Sequence, residues 1–204
     1  PVEVVDFIIH SVNDVLKSEF GKTFADDNVH VLDPFTGTGT FINRLLQSGL
    51  IPADRLTYKY KNEIHANEIV LLAYYIASIN IETVYHDQMK TVNPNLEYAP
   101  FEGICLTDTF EMYEKEDLVS KVLIDNSARR KRQKNLDIRV IMGNPPYSIG
   151  QSSENDNNAN VKYPFLDSRI ASTYAKFSNA TLQRNLYDSS LYTTNFTEPL
   201  SYQD

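Results

Sequence analysis

The sequence has little of several features that define whole classes of protein. It contains one cysteine, Cys105, in 204 residues, which excludes a disulfide framework and a zinc site built from several cysteines. No stretch approaches the ~20 apolar residues of a membrane span, and no basic start followed by an apolar run resembles a secretory signal. Nineteen Lys and Arg against 27 Asp and Glu leave a net charge of −8, which argues against a generally basic surface that coats nucleic acid. We therefore expect a cytoplasmic protein with no membrane partner.

The hydrophobic pattern alternates between strand and helix. Short apolar runs predict strands at 29–34, 64–67, 103–107 and 138–142, and helical periodicity predicts helices at 2–20, 39–48, 69–80, 110–124 and 164–187. This alternation predicts right-handed βαβ units, hence an α/β fold with a mostly parallel sheet and flanking helices. The polar stretch 148–160 predicts a loop. We expect one domain over 1–188 and an irregular tail over 189–204.

A glycine-rich turn follows the first predicted strand. Residues 33–41 read Asp-Pro-Phe-Thr-Gly-Thr-Gly-Thr-Phe, and a strand before and a helix after are the context in which such a loop binds a ligand. A dinucleotide-binding loop would have a third glycine where Ile42 stands, and a phosphate-binding loop would contain Gly-Lys-Ser/Thr. Neither NAD nor ATP is therefore favoured as the ligand. A glycine-rich turn that binds no ligand remains an alternative interpretation.

Acidic residues follow the next two strands. Glu68 ends the second strand, where nucleotide-binding α/β folds place an acid that accepts the ribose hydroxyls. Glu63 lies at the opposite end of that strand, away from ligands. Asp108 ends the third strand. For both Glu68 and Asp108 the alternative is an acid that caps or favours a helix N-terminus. Cys105 lies within the third strand and is expected to pack in the core.

The sequence Asn144-Pro145-Pro146-Tyr147 follows the fourth predicted strand. Two successive prolines remove two N–H donors and rigidify the turn. The Asn144 side-chain oxygen and the Pro145 carbonyl then offer two acceptors for the two hydrogens of a planar amine, and Tyr147 offers a ring for stacking. The residue before them, Gly143, is expected to allow a close backbone approach, which a glycine at a strand end often marks.

The loop and the turn resemble motifs I and IV of S-adenosylmethionine (SAM)-dependent DNA amino-methyltransferases, and Asn144 is similar to the first residue of the N6-adenine group. The resemblance implies a Rossmann-like methyltransferase fold, here incomplete, with about four of seven strands. It implies that the substrate is a flipped adenine in DNA and that Asn144, Pro145, Pro146 and Tyr147 are catalytic. It further implies that SAM is bound by the following residues: Asp33, Phe35, Thr36, Gly37, Gly39, Thr40, Phe41, Glu68, Asp108 and Asn144. Within this set, Asp108 would accept a hydrogen bond from the adenine amine of SAM.

A wider resemblance covers residues 150–158, 163–164 and 166–170, which are similar to single-polypeptide type ISP restriction-modification proteins with the gamma order of motifs. It implies nuclease, translocase and target-recognition domains as partners. Residues 1–5 resemble the end of motif X, which covers SAM. Two alternatives stay open: methylation of a protein glutamine or of RNA, and a fragment that binds SAM without turnover.

Five cations lie in the run 129–134, Arg-Arg-Lys-Arg-Gln-Lys. A mobile, solvated connector is expected here, with a phosphate contact as the alternative. The four histidines, His10, His30, His65 and His86, show no metal-ligand spacing. We therefore expect no metal, and His30 and His65 are expected to pack on or beside the strands.

Overall fold

A computed structural model of the chain describes residues 1–112, 124–145 and 164–172. The described residues belong to two units, one with residues 1–109 and 124–145 and the other with residues 110–112 and 164–172. The predicted loop 148–160 and tail 189–204 lie outside the described residues, so the domain division at residue 188 stays a prediction.

Four parallel strands form the centre of the first unit. They are β1 (His30–Asp33), β2 (Ile64–Glu68), β3 (Ile104–Leu106) and β4 (Ile138–Ile141), in the spatial order β3-β2-β1-β4. Val31 of β1 lies opposite Ile64 of β2 on one side and Val140 of β4 on the other. The predicted α/β class and parallel sheet are confirmed, with strand bounds within two residues of the predicted ones.

The described residues form six helices. They are α1 (Val2–Phe20), α2 (Thr40–Gln47), α3 (Ala53–Asn62), α4 (Leu71–Lys90), α5 (Ile124–Lys134) and, in the second unit, α6 (Pro164–Ser172). The predicted helices 2–20 and 39–48 are confirmed. Gly21 ends α1 in the left-handed conformation at φ 60°, and its N–H and that of Lys22 bond the last carbonyls of the helix, as in a glycine-capped helix end.

The hydrophobic core joins α1, α2 and α4 to the sheet. Each helix contributes an apolar stripe at helical spacing, and β1 and β2 contribute β-branched residues. Fully buried members include Ile9, Val31, Ile42, Leu45, Ile64, Ile81 and Tyr85. The apolar area removed from water here stabilises the unit, in which α2 packs against α1 and α4, and α4 packs against β2 and β3.

Two helical segments differ from the expectation. Helix α3 was missed because one of its three buried residues is charged: Leu56 and Tyr60 pack in the core beside Lys59, so an apolar period is too short to detect. Helix α4 continues ten residues beyond the predicted end at residue 80. Its β-branched second half has modest helix propensity, but Ile81, Tyr85 and Met89 are buried at four-residue spacing, and packing decides.

The basic run was wrongly predicted to be a mobile connector. It lies on α5, a regular helix that begins at Ile124 and ends at Lys134. The buried stripe of this helix is polar, with Asn126, Arg130 and Gln133 at i, i+4 and i+7. The Asn126 side chain accepts from the Leu106 N–H at 2.8 Å and donates to the Leu106 carbonyl at 3.0 Å, so it completes the hydrogen bonds of the edge strand β3. An apolar pattern cannot reveal this helix, because the residues that it buries are polar.

Most of the predicted helix 110–124 lies outside the described residues. Residues 110–112 form a turn. The predicted helix 164–187 is confirmed as far as Ser172, and its remainder also lies outside the described residues. Within the described ranges, no helix is both long and apolar enough to cross a membrane.

Candidate functional site

The strand order places a crevice at the carboxyl ends of β1 and β4. From β1 the chain moves to β2 and β3 on one side, and it then returns to form β4 on the other side. In open α/β sheets ligands bind at this reversal, outside the carboxyl ends of the strands. Asp33 ends β1, and Gly143, Asn144 and Pro145 follow β4. The topology therefore brings the glycine loop and the Asn-Pro turn to the two sides of one crevice.

The glycine loop has the backbone that its sequence predicts. Gly37 has φ 57° and Gly39 has φ 92°, a left-handed conformation that glycine adopts without steric cost. The Thr36 N–H donates to the Asn67 carbonyl at 2.9 Å, and the Thr36 hydroxyl donates to the Asp33 carbonyl at 3.0 Å. These contacts hold the loop against the end of β2. Helix α2 then begins at Thr40 with its N-terminus at the loop.

Asp33 is a buried acid at the base of this loop. Asp33 is 1% exposed, and its Oδ1 accepts a hydrogen bond from the Phe35 N–H at 3.2 Å. Burial raises the pKa of the Asp33 carboxyl to about 7, the Phe35 hydrogen bond opposes this rise, and the nearby Glu68 charge adds to it. Burial disfavours the charged form of an isolated carboxyl, whereas a neighbouring cation favours it.

Glu68 connects the loop to the start of α4. Its Oε2 accepts from the Gly37 N–H at 2.7 Å, and its Oε1 accepts from the Ile69 and Val70 N–H groups at 2.9 and 2.8 Å. Glu68 thus bonds the two N–H groups just before α4, while the first turn of α4 itself has no side-chain cap, so the acid lies near the helix N-terminus without capping it. A carboxylate offers about four lone-pair sites, and these three contacts leave one. Glu63, the other acid on β2, lies at the amino end of the strand, away from the crevice. It forms a buried ion pair with Lys59.

Two positioning residues were missed by the sequence analysis. The Thr109 hydroxyl donates to the Pro34 carbonyl at 2.7 Å and accepts from the Asn67 Nδ2 at 3.3 Å. This relay ties β2 to the segments that follow β1 and β3. The available signal was that each residue is a polar neighbour of a predicted cofactor acid, since Asn67 precedes Glu68 and Thr109 follows Asp108. Asp108 itself is partly exposed at the same edge.

The Asn-Pro turn lies on the other side of the crevice. Met142 continues the pairing with β1, because its N–H donates to the Leu32 carbonyl at 3.1 Å. Gly143 then lies against Asp33: a Cβ built on Gly143 would be 2.6 Å from the Asp33 Oδ1. Gly143 does allow a close approach, but to the side chains of Asp33 and Pro34 rather than to another backbone. Asn144 and Pro145 are exposed, while Pro146 and Tyr147 lie outside the described residues, so their catalytic assignment stays a prediction.

The remaining predicted cofactor residues are distributed around the loop. Phe35 is partly exposed and Thr40 is exposed at the first position of α2. Phe41 is 8% exposed and packs with the hydrophobic core. Cys105 is a buried free thiol, and burial raises the pKa of this thiol to about 11, so packing rather than reactivity is confirmed for it.

His30 and His65 pack against each other on β1 and β2, with their Nδ1 and Nε2 atoms 3.0 Å apart. Burial lowers the pKa of His65 to about 3. In the part of the chain that the structure describes, no three His, Cys, Asp or Glu side chains are placed to hold a metal ion.

The chain is an α/β protein with a four-stranded parallel sheet, compatible with a partial Rossmann-like fold. Its candidate site residues lie at the carboxyl ends of the strands. No family model and no curated protein matches the sequence. Among solved structures, the chain is similar to a nuclease-deletion mutant of the Type ISP restriction-modification enzyme LlaGI in complex with a DNA substrate mimic, with 53% identity over 89% of this chain and a TM-score of 0.77.

Two further structures are similar at the same level. The ATP-dependent Type ISP restriction-modification enzyme LlaBIII bound to DNA is 50% identical over 91% of this chain, with a TM-score of 0.76. A DrdV–DNA complex is 41% identical over 92%, with a TM-score of 0.75. The chain spans 15%, 13% and 18% of the lengths of the LlaGI, LlaBIII and DrdV chains.

Proposed function

We propose that this chain is the cofactor-binding part of a SAM-dependent methyltransferase that modifies N6 of adenine in DNA, within a restriction-modification enzyme. The observation that carries the proposal is the placement of the Asp33 loop and the Gly143-Asn144-Pro145 turn on neighbouring strands at one crevice. One side has groups suited to a charged nucleoside, and the other has two exposed acceptors suited to an amine.

The glycine-loop side fits SAM chemically. The buried Asp33 carboxyl, which accepts from the Phe35 N–H, is suited to the ammonium group of the cofactor, because a neighbouring cation favours the charged carboxylate. Glu68 keeps one acceptor position for a ribose hydroxyl after its three backbone contacts. Asp108 lies at the same edge, at the end of β3, where it would accept from the adenine amine of SAM. When bound, SAM supplies a methyl group on a sulfonium sulfur.

The turn side fits an amine. The Asn144 side-chain oxygen and the Pro145 carbonyl would accept the two N–H groups of the adenine amine and hold its nitrogen in one orientation. Orientation matters because the lone pair of this nitrogen is delocalised into the ring, and fixed geometry supplies a large share of a displacement reaction. A stacked base in duplex DNA cannot reach the crevice, so the adenine is flipped.

The comparisons support the DNA and restriction-modification parts of the proposal. LlaGI and LlaBIII are restriction-modification enzymes, and all three similar structures contain DNA. Because the chain spans 13–18% of these structures, the nuclease, translocase and target-recognition domains would belong to a larger polypeptide around it. The DNA in all three favours a DNA substrate over RNA or a protein glutamine.

Calorimetric titration of SAM into the 204-residue chain tests the cofactor assignment. We expect saturable binding that is lost in Asp33→Ala and kept in Asp14→Ala, a matched change on the exposed face of α1. If the folded chain binds no SAM, and a chain extended at both ends binds none either, the cofactor assignment is refuted.

Methyl transfer in the extended chain tests the substrate assignment. Labelled methyl incorporation is measured with adenine-containing duplex DNA, RNA and a glutamine-containing protein as acceptors. We expect transfer to DNA that falls on the order of 10²-fold in Asn144→Ala, with SAM affinity little changed. Asn62→Ala, an exposed change before β2 at the opposite edge of the sheet, should leave both unchanged. Transfer to RNA or protein alone, or loss of SAM binding in Asn144→Ala, would contradict the assignment.

A further inference from the structure

Gly143 directly precedes Asn144 and Pro145 in the sequence, but the atoms nearest to a Cβ added at residue 143 belong to the glycine loop. A Cβ added to Gly143 would lie 2.6 Å from the Asp33 Oδ1 and 3.2 Å from the Pro34 Cδ. An ordinary separation between non-bonded carbon atoms is about 3.5–4.0 Å. A methyl group at residue 143 therefore overlaps the carboxyl of the acid at the base of the cofactor loop.

The backbone on both sides of the overlap is held by strand pairing. Asp33 is paired with Ala66 of β2, and the Met142 N–H is bonded to the Leu32 carbonyl across β1 and β4. Both strands are thus held in register immediately before the contact. The part that can move is the Asp33 carboxyl, which would have to leave the position where it accepts from the Phe35 N–H.

We propose that Gly143 is a positioning residue of the cofactor site: its missing side chain leaves the space in which the Asp33 carboxyl lies. The inference rests on the proposed function for the identity of the cofactor, while the steric contact stands on the geometry alone. It implies that residue 143 controls SAM affinity through Asp33, whereas its neighbour Asn144 controls the transfer step. The contact between Gly143 and Asp33 then links the Asn-Pro turn to the glycine loop across the crevice.

The steric part is tested without SAM, by a double-mutant cycle on the 204-residue chain. Gly143→Ala should lower the urea midpoint in the wild-type background and change it much less in the Asp33→Ala background, because the overlapping carboxyl is gone. Carbon-13 NMR of the aspartate carboxyls provides a second measurement: the Asp33 resonance and its titration should move in Gly143→Ala. Ile141→Ala, at a residue 67% exposed on the same strand, is the control that should leave the Asp33 resonance in place.

The functional part is tested by calorimetry. Gly143→Ala should raise the Kd for SAM on the order of 10- to 100-fold, the range typical when a residue that orients a ligand-binding group is changed, and Ile141→Ala should not. Equal effects of Gly143→Ala in both Asp33 backgrounds, with an unmoved Asp33 resonance, would overturn the inference while leaving the proposed function intact.

The two proposals fail in different ways. If the steric cycle behaves as expected but neither the chain nor its extended form binds SAM, the proposed function fails, and the positioning role fails with it. If wild type binds SAM and Gly143→Ala binds it equally well, only the positioning role is refuted. Coupling in the cycle together with weakened SAM binding supports both.

Discussion

Replacing Asp33 by asparagine should stabilise the chain at neutral and alkaline pH, although Asp33 is a predicted site residue. The carboxyl is 1% exposed and accepts from the Phe35 N–H, and burial raises its pKa from 3.8 to about 7. Asparagine has nearly the same shape and can keep the Phe35 contact through its own oxygen, but it never ionises. Asp33→Asn therefore removes the cost of a buried charge and little else.

The size of the effect follows from the two pKa values. The folded chain keeps a proton on Asp33 between about pH 4 and pH 7, whereas the unfolded chain has released it. The stability that wild type owes to this group therefore falls as pH rises through that interval and levels off above pH 7. At about 1.36 kcal/mol per pH unit the upper bound is roughly 4 kcal/mol. We expect Asp33→Asn to gain about 2–4 kcal/mol over wild type at pH 8 and little at pH 4.5.

Urea unfolding at pH 4.5, 6 and 8 measures this difference. Buried His65, whose pKa is lowered to about 3, acts with the opposite sign, because the unfolded chain gains a proton there as pH falls below 6.5. His65 is present in both proteins, so its contribution cancels in the difference. Asp14→Asn, on the exposed face of α1, is the matched control for the substitution itself. A difference that is constant with pH, or a less stable Asp33→Asn at pH 8, would refute the reasoning.

Two further changes test other parts of the structure. Thr109→Val removes the hydroxyl that links the Pro34 carbonyl to Asn67. It should lower the free energy of unfolding by about 1–3 kcal/mol and weaken SAM binding, and Thr109→Ser should recover both. Urea unfolding and calorimetry measure the two effects, and a Thr109→Val variant with unchanged stability and SAM binding would contradict a positioning role. Lys59→Met leaves the buried Glu63 carboxylate without its ion-pair partner and should cost about 3–5 kcal/mol. Adding Glu63→Gln should restore part of the loss in urea unfolding, and no recovery in the double variant would argue against an unpaired charge as the cause.

The predicted parallel sheet succeeded where the signal was local. β1 and β2 end in the acids Asp33 and Glu68, and β3 and β4 consist mainly of apolar residues. All four strands lie within two residues of the predicted ranges because short apolar segments bounded by turn residues indicate strands. The conformation of the glycine loop followed for the same reason, since a left-handed backbone at Gly37 and Gly39 is a property of the residues themselves. The prediction failed for α3 and α5, because the buried faces of these helices contain Lys59, Asn126 and Gln133.

The sequence by itself determined which chemical groups end each strand: Asp33, Glu68 and the Asn144-Pro145 turn. Parallel strands place all of these at one edge, whatever their order. Only the tertiary structure decided that β4 lies beside β1, so that Gly143 contacts Asp33 and the two motifs face one crevice. Strand order depends on crossovers and packing between segments far apart in the chain, and no local pattern of residues encodes it.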